Sequence, residues 1–283
     1  MLRVALLSHL FCSGGLYALR SSSAVVSVDG SGRVGGVVAL REAVRVVPSG
    51  FEVGFVGVGG RECRERLETV AGLAFELVPQ VRSFPSFRGQ RNNTGLWWLS
   101  RSGRHVGFES WLERDHLTLM DFDRSIMDVA AQPFWLFWSS ESRRARSHAP
   151  DFFARLSDGT GVVVDVRPAQ QVRPRDAQAF EAARQACAIV GWDYRLVHEP
   201  DPVRMANVRW LAGYRHPRCL REEVAMQGLR LLDEPMPLMD AAGLGDPLAT
   251  LPTQFHLLWC GLVRADLNVA LSEYTMLSVV TPG

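Results

Sequence analysis

The stretch Gly161–Pro168, reading GVVVDVRP, constrains this chain more than any other part of it. A valine run next to a turn signal reads as a buried strand, and Asp158-Gly159 just before it is a tight-turn pair. The upstream run His148–Ala154, HAPDFFA, is then its hairpin partner. If the hairpin folds about Asp158-Gly159, Asp151 falls opposite Asp165 or Val166. Side chains alternate across a strand, so Val163, Asp165 and Arg167 share one face and Val162, Val164 and Val166 the other. Two carboxylates and an arginine thus meet at one end of a strand pair. Directly opposed residues stand about 4.5–5.5 Å apart at Cβ, and carboxylates that close repel unless a cation lies between them. Hard oxygen donors of this kind suit magnesium, with manganese as the alternative.

Upstream, Phe108–Met120 (FESWLERDHLTLM) reads as a helix. Phe108, Trp111, Leu112, Leu119 and Phe122 recur at the helical period along one side. Glu109 and Glu113 are four apart and leave one flank of that stripe together. A glutamate helix, an aspartate after proline and an acid-x-basic strand end therefore follow one another.

Those residues, Glu113, Pro150-Asp151 and Asp165-Val166-Arg167, resemble the PD-(D/E)xK nuclease core. The surrounding text narrows the resemblance. SRSGRHVGFESWLERD, DFDRSIMDVAAQPF and PDFFARLSDGTGVVVDVRP are similar to TnsA, the endonuclease subunit of heteromeric transposases, over about residues 82–200. The likeness weakens toward the C-terminus and is absent over the first fifty or so residues. It rests on a short hairpin before the helix glutamate, the acidic-aromatic step Asp121-Phe122-Asp123, and Gln132 beside Pro133. The spacing to that step favours Glu113 over Glu109, which becomes a supporting carboxylate, as Gln132 becomes a structural hydrogen-bonding residue. The resemblance implies a metal held by Glu113, Asp151, Asp165 and the Val166 carbonyl. It implies double-stranded DNA cut at the 5′ transposon ends, and partnership with a DDE-type transposase and an AAA+ ATPase regulator. The family's lysine position holds Arg167. Arginine cannot act as a base, but it can neutralise charge on a phosphate through two N–H groups.

Composition bounds these readings. The chain has 283 residues, 47% hydrophobic and 22% charged, which suits one or two globular domains. Net charge is +1, so any nucleic-acid surface must be local. All 31 basic residues are arginine, so arginine at a given site is no sign of selection over lysine. Five scattered cysteines without a CxxC pair argue against zinc and for a reducing, cytoplasmic setting. The apolar N-terminus is broken by His9, Cys12 and glycines, unlike a secretory signal.

The remaining chain divides in three. Residues 1–50 read as a variable extension, poorly ordered or upstream of the true start codon. Residues 51–199 read as the endonuclease domain, with a strand at 51–58 and a short helix over Arg61–Leu73. Between Leu77 and Phe108 there is no acid, and Arg82, Arg88, Arg91, Arg101 and Arg104 interleave with Phe84, Phe87, Trp97 and Trp98. With Arg143 and Arg144 in the loop before His148, they are the candidate DNA-binding residues; for the 77–108 stretch, aromatics in the core and arginines in water is the competing account. A helix over Asp176–Val190 ended by Gly191, then a strand at Trp192–Val197, completes an αβββαβ order. The fold class expected is α/β: a restriction-endonuclease-like αβββαβ core with a mostly helical, winged-helix-like C-terminal domain over residues 200–283. That domain, set off by Glu199-Pro200-Asp201-Pro202, holds nine acids against seven arginines, which suits docking as well as DNA reading. It is expected to be separable, with Gln254 and His256 on its last helix. Competing functions are a restriction or repair nuclease on the same core, and an inactive scaffold that binds DNA or a partner.

Overall fold

The computed structural model describes residues 50–82, 93–139, 145–243 and 245–280, so the expectation for residues 1–49 lies outside the described residues. Glu52–Val56 (β1) and Glu62–Arg66 (β2) open as an antiparallel pair, and Leu67–Val70 (α1) adds one helical turn. The helix expected from Arg61 is therefore a strand over its first half. Cys63 and Glu65 lie directly across from Phe55 and Val53, and this pairing outweighs local helix propensity.

Gly95–Trp98 (β3) and His105–Phe108 (β4) form a hairpin that feeds Trp111–Phe122 (α2). The helix begins later than Phe108 because Ser110 caps it, its Oγ accepting from the Glu113 N–H at 3.2 Å. Ile126–Ala131 (β5) and Phe134–Ser139 (β6) follow, then Ala145–His148 (β7), Phe152–Leu156 (β8) and Gly161–Val166 (β9). The run HAPDFFA is thus two strand pieces, not one. The chain leaves β7 at Ala149-Pro150, where proline cannot donate to a ladder, and enters β8 in a different sheet. Pro174–Val190 (α3) ends at Gly191, whose φ of 73° is the left-handed cap conformation, and Asp193–Val197 (β10) returns parallel to β9.

Two four-stranded sheets result, in the orders β2-β1-β6-β7 and β10-β9-β8-β5. One face of the second sheet packs on α2 through Phe152, Val162, Val164, Leu117 and Met120. The other face carries Phe153 and Val163, which pack with α3 and with Val53, Phe134 and Leu136 of the first sheet. Phe75 sits at the centre of that second core, edge-on to Phe134 at 5.0 Å and to Trp192 at 5.7 Å. Gly161 is required there, since a Cβ would stand 2.7 Å from the Phe153 ring and 2.8 Å from Trp192. The helix, three antiparallel strands, helix and parallel strand run in the expected order, with β6 and β7 diverted to the neighbouring sheet. The chain is a mixed α/β fold.

The C-terminal part holds Pro202–Ala212 (α4), Glu222–Leu231 (α5), Met236–Pro237 (β11), Leu238–Ala242 (α6), Pro247–Trp259 (α7), Val263–Arg264 (β12) and Met276–Val279 (β13). Its strands form a sheet in the order β11-β13-β12. The sequence leads one to expect a separable unit, but the structure packs it on α2 and the β3–β4 hairpin. Leu119, Phe122 and Trp97 join its core, and Phe122 meets Trp259 edge-on at 5.2 Å. Asp121 is the polar centre of the contact. It accepts from Trp97 Nε1 at 3.0 Å and from Ser100 N and Oγ at 2.9 Å, and Trp259 Nε1 donates to the same Ser100 hydroxyl. Arg209 of α4 pairs with Asp115 of α2. Among the described residues, no helix is long and apolar enough to cross a membrane.

Candidate active site

The hairpin register puts Phe152 across from Val164; one step further, Asp151 stands across from Asp165. Both lie where β8 and β9 enter a cleft of about 820 Å³ whose walls include Glu113, Asp151, Val166 and Arg167. Asp151 accepts from the Val166 N–H at 2.7 Å. Its carboxyl is raised well above the ordinary carboxylate range, first by burial and then by the charges of Asp165 and Glu113; the Val166 N–H and Arg167 offset this in part.

Asp165 is 1% exposed. His148 Nε2 donates to its two oxygens at 2.8 and 3.0 Å, and Tyr194 OH donates to Oδ2 at 2.9 Å. Because the carboxylate only accepts, the His148 proton on this side sits on Nε2. Burial and this carboxylate together push the Tyr194 phenol above its usual range, so it stays a donor. Burial likewise pushes the nearby Cys187 thiol up to about 12, which leaves it unreactive.

Glu113 has a second occupation that the sequence reading missed. Its Oε1 accepts from Ser110 Oγ at 2.9 Å and its Oε2 from the Glu109 N–H at 2.7 Å, while Ser110 caps the Glu113 N–H. This is the reciprocal logic of a capping box, and the signal was present as Ser110-x-x-Glu113. Burial raises the Glu113 carboxyl, and the Glu109 charge adds to it against the hydrogen bonds and Arg167. Glu109 meets Arg82 at 3.6 Å and accepts from Gln132 Nε2 at 3.1 Å.

Gln132 is buried and holds φ at 42°, a left-handed conformation uncommon outside glycine. Its N–H donates to the Asp151 carbonyl at 3.0 Å, so the strained residue ties the Asp151 backbone to the same patch as Glu109. The hydrogen bonds that hold Arg167 are to its backbone, and its guanidinium lies over the Phe180 ring at 5.9 Å. Its N–H donates to Val197 O at 2.9 Å, and its carbonyl accepts from His198 Nδ1 at 2.7 Å. His116 Nε2 in turn donates to the His198 carbonyl. Among the described residues the Arg167 guanidinium has no hydrogen bond or ion pair, and its buried Nε lacks a partner.

The structure thus gathers Glu113, Asp151, Asp165, Val166 and Arg167, with Glu109 and Gln132 behind them. Of the arginines, Arg82 lines the cleft. Arg101 donates to the Arg124 carbonyl, and Arg104 pairs with Asp128 and donates to the Val129 carbonyl. Both stand outside the cleft. Trp97 and Trp98 are likewise taken, by Arg215 at 4.3 Å and by His216 at 5.3 Å. Arg88, Arg91, Arg143 and Arg144 lie outside the described residues. His148, Tyr194 and His198 escaped the sequence reading because the first two reach the site from strands, and His198 from the residue after β10, and the sequence does not announce how these strands pair.

Among the described residues, no group of three His, Cys, Asp or Glu side chains stands ready-made around one point for a metal. The donor chemistry nevertheless fits a hard cation. Asp151 is half-buried beside two further carboxylates, and a divalent ion is what relieves such a cluster. Residues 123–199 match the family model described as TnsA-like endonuclease N terminal. That segment contains Asp151, Asp165 and Arg167, and Glu113 precedes it. No curated protein matches the chain.

Proposed function

We propose, from the premise that residues 123–199 form a TnsA-like endonuclease domain, that this chain is the DNA-cutting subunit of a heteromeric transposase. It hydrolyses phosphodiester bonds at the 5′ transposon ends with a divalent metal, magnesium or manganese. The observation that carries this reading is that Glu113 and Asp151 line one cleft with Arg167, whose guanidinium has no hydrogen bond or ion pair among the described residues, and that Asp165 lies buried within electrostatic reach of Asp151.

Glu113, Asp151, Asp165 and the Val166 carbonyl would hold the metal. Bound there, it supplies Lewis-acid polarisation of a phosphoryl oxygen and acidifies a water. The rest of the work belongs to the chain. Arg167 binds the scissile phosphate and neutralises charge as it develops. His148 and Tyr194 fix the orientation of Asp165, Ser110 orients Glu113, and Gln132 anchors Asp151. Arg82 binds a neighbouring phosphate at the cleft wall.

Residues 51–199 serve as the nuclease unit and 200–283 as a winged-helix-like unit that docks on a DDE-type transposase or an AAA+ regulator. The order α5, β11, α6, α7, β12, β13 with a β11-β13-β12 sheet supports the winged-helix reading. Burial of Gln254 and His256 on α7 favours docking over base reading.

Plasmid cleavage with magnesium or manganese, in the presence of the partner proteins, tests the reading. Wild type should cut, and Asp151→Ala and Asp165→Ala should not. A second reading, an inactive DNA-binding scaffold, is favoured by the hydrogen bonds that occupy both Asp165 oxygens. Absence of cleavage by wild type under all these conditions selects it.

A further inference from the structure

The cleft does not end at Arg167. It continues into a second hollow of about 510 Å³ lined by Arg167, Gln170, Gln171, Val172, Arg173 and Asp176. Across the cleft, Arg146 projects from the edge strand β7 and is exposed. Many arginines elsewhere are spent. Arg64, Arg155 and Arg184 face carboxylates at 2.7 to 3.0 Å, and Arg209 and Arg215 bridge to α2. The guanidiniums of Arg146, Arg167 and Arg173 have no such partner among the described residues.

A buried N–H without an acceptor is costly, so the Arg167 Nε favours any ligand that delivers one. In the second hollow Arg167 and Arg173 face Asp176 alone, a net positive charge that calls for an anion, while Glu113 and Asp151 lie on the cleft side of Arg167. Gln170 and Gln171 add neutral amide donors, which suit phosphate oxygens and carry no base preference. The hollow also abuts the start of the 17-residue α3, which opens at Pro174 with no side-chain cap, so the positive end of its dipole faces the same space.

We propose that Arg146, Arg167 and Arg173 form a rail for the phosphodiester backbone of one DNA strand. The strand crosses the cleft from Arg146, passes Arg167 and continues through the second hollow under Arg173. That the middle phosphate is the one cut rests on the endonuclease reading; that DNA backbone fills the hollow does not.

The test is binding of a fluorescent duplex to the full chain in chelator, across salt concentrations. Each lost phosphate contact lowers the slope of log affinity against log salt by about 0.9. Arg173→Ala and Arg146→Ala should each show that drop, and the double variant the sum. Arg173→Glu should weaken binding further. Arg184→Ala, on the exposed side of α3, should bind as wild type does. Arg173→Ala binding with wild-type affinity and slope overturns the rail, as does failure of the wild-type chain to bind duplex DNA. Cleavage with magnesium, run in parallel, judges the other reading: a wild type that binds with the expected slopes but never cuts sinks the endonuclease and leaves the rail standing.

Discussion

His198 donates from Nδ1 to the carbonyl oxygen of Arg167 at 2.7 Å. A carbonyl only accepts, so the proton is on Nδ1, and the imidazole acts as a fixed strut between the ends of β9 and β10. His198→Ala should slow single-turnover cleavage by about fivefold, the effect of losing one hydrogen bond of about 1 kcal/mol. DNA affinity should stay within about twofold, and His198→Asn, which keeps a donor at similar reach, should restore most of the rate. An alanine variant that cuts at full speed removes the strut from the mechanism.

Arg167 itself should matter more. Arg167→Ala should slow cleavage by about 10²–10³, the size of losing one preorganised donor to developing charge. Arg167→Lys should retain much of the activity, and neither variant should change metal affinity greatly. Guanidinium stays charged across the working range, so Arg167 adds no titrating limb to the pH–rate profile. Single-turnover rates of the three proteins across pH measure this directly.

Glu113 has two jobs that glutamine can separate. Glu113→Gln keeps one oxygen to accept from the Glu109 N–H, and its amide can donate to the Ser110 hydroxyl, but it removes the charge, so it should melt near wild type and fail to cut. Glu113→Ala should fail to cut and also lose about 1 kcal/mol of stability with the cap. Calorimetric metal titration of both, beside Glu109→Ala, ranks the two glutamates. A greater loss of metal binding from Glu109→Ala would reverse their roles.

Asp151 makes stability depend on pH in a definite direction. Its folded pKa is raised, so between the unfolded value and the folded one the native state binds the extra proton. Metal-free stability therefore falls as pH rises through that window. Asp151→Asn keeps the acceptor for Val166 and lacks the charge. In chelator it should melt above wild type at neutral pH, with the gap closing toward about pH 4. Melting curves across pH decide this, and a gap that widens on acidification contradicts the burial of a charged Asp151. Metal affinity should rise with pH over the same window, since binding displaces the proton.

Asp121→Ala should loosen the C-terminal part. It strands the Trp97 indole N–H and the Ser100 N–H, both half-buried beside the contact with Trp259. Urea unfolding should show a loss of about 1–3 kcal/mol. An unchanged midpoint would mean that water replaces the carboxylate there.

The sequence carried the hairpin, its register and the helical flank of Glu113 because each depends on neighbours in the chain: Asp158-Gly159 for the turn, the valine alternation for the faces. It carried the end of α3 through Gly191. It did not carry the split at Pro150, because which sheet a strand joins depends on partners such as β6, far away in sequence. His148, Tyr194 and His198 were hidden for the same reason. Arg101 and Arg104 looked like DNA ligands only because the carboxylate and carbonyls that engage them come from distant elements.

The passage of one strand run between two sheets at Pro150 has a mechanical consequence. His148 is registered on Leu136 of the first sheet, and Asp151, three residues later, immediately precedes the second-sheet strand that begins at Phe152. The placement of Asp151 is thus inherited from the first sheet, through a tether too short to absorb slippage. Reshaping β1, β2 or β6, which look like scaffolding remote from any chemistry, would shift the spacing between His148 and Asp165 and detune the centre without touching a residue in it.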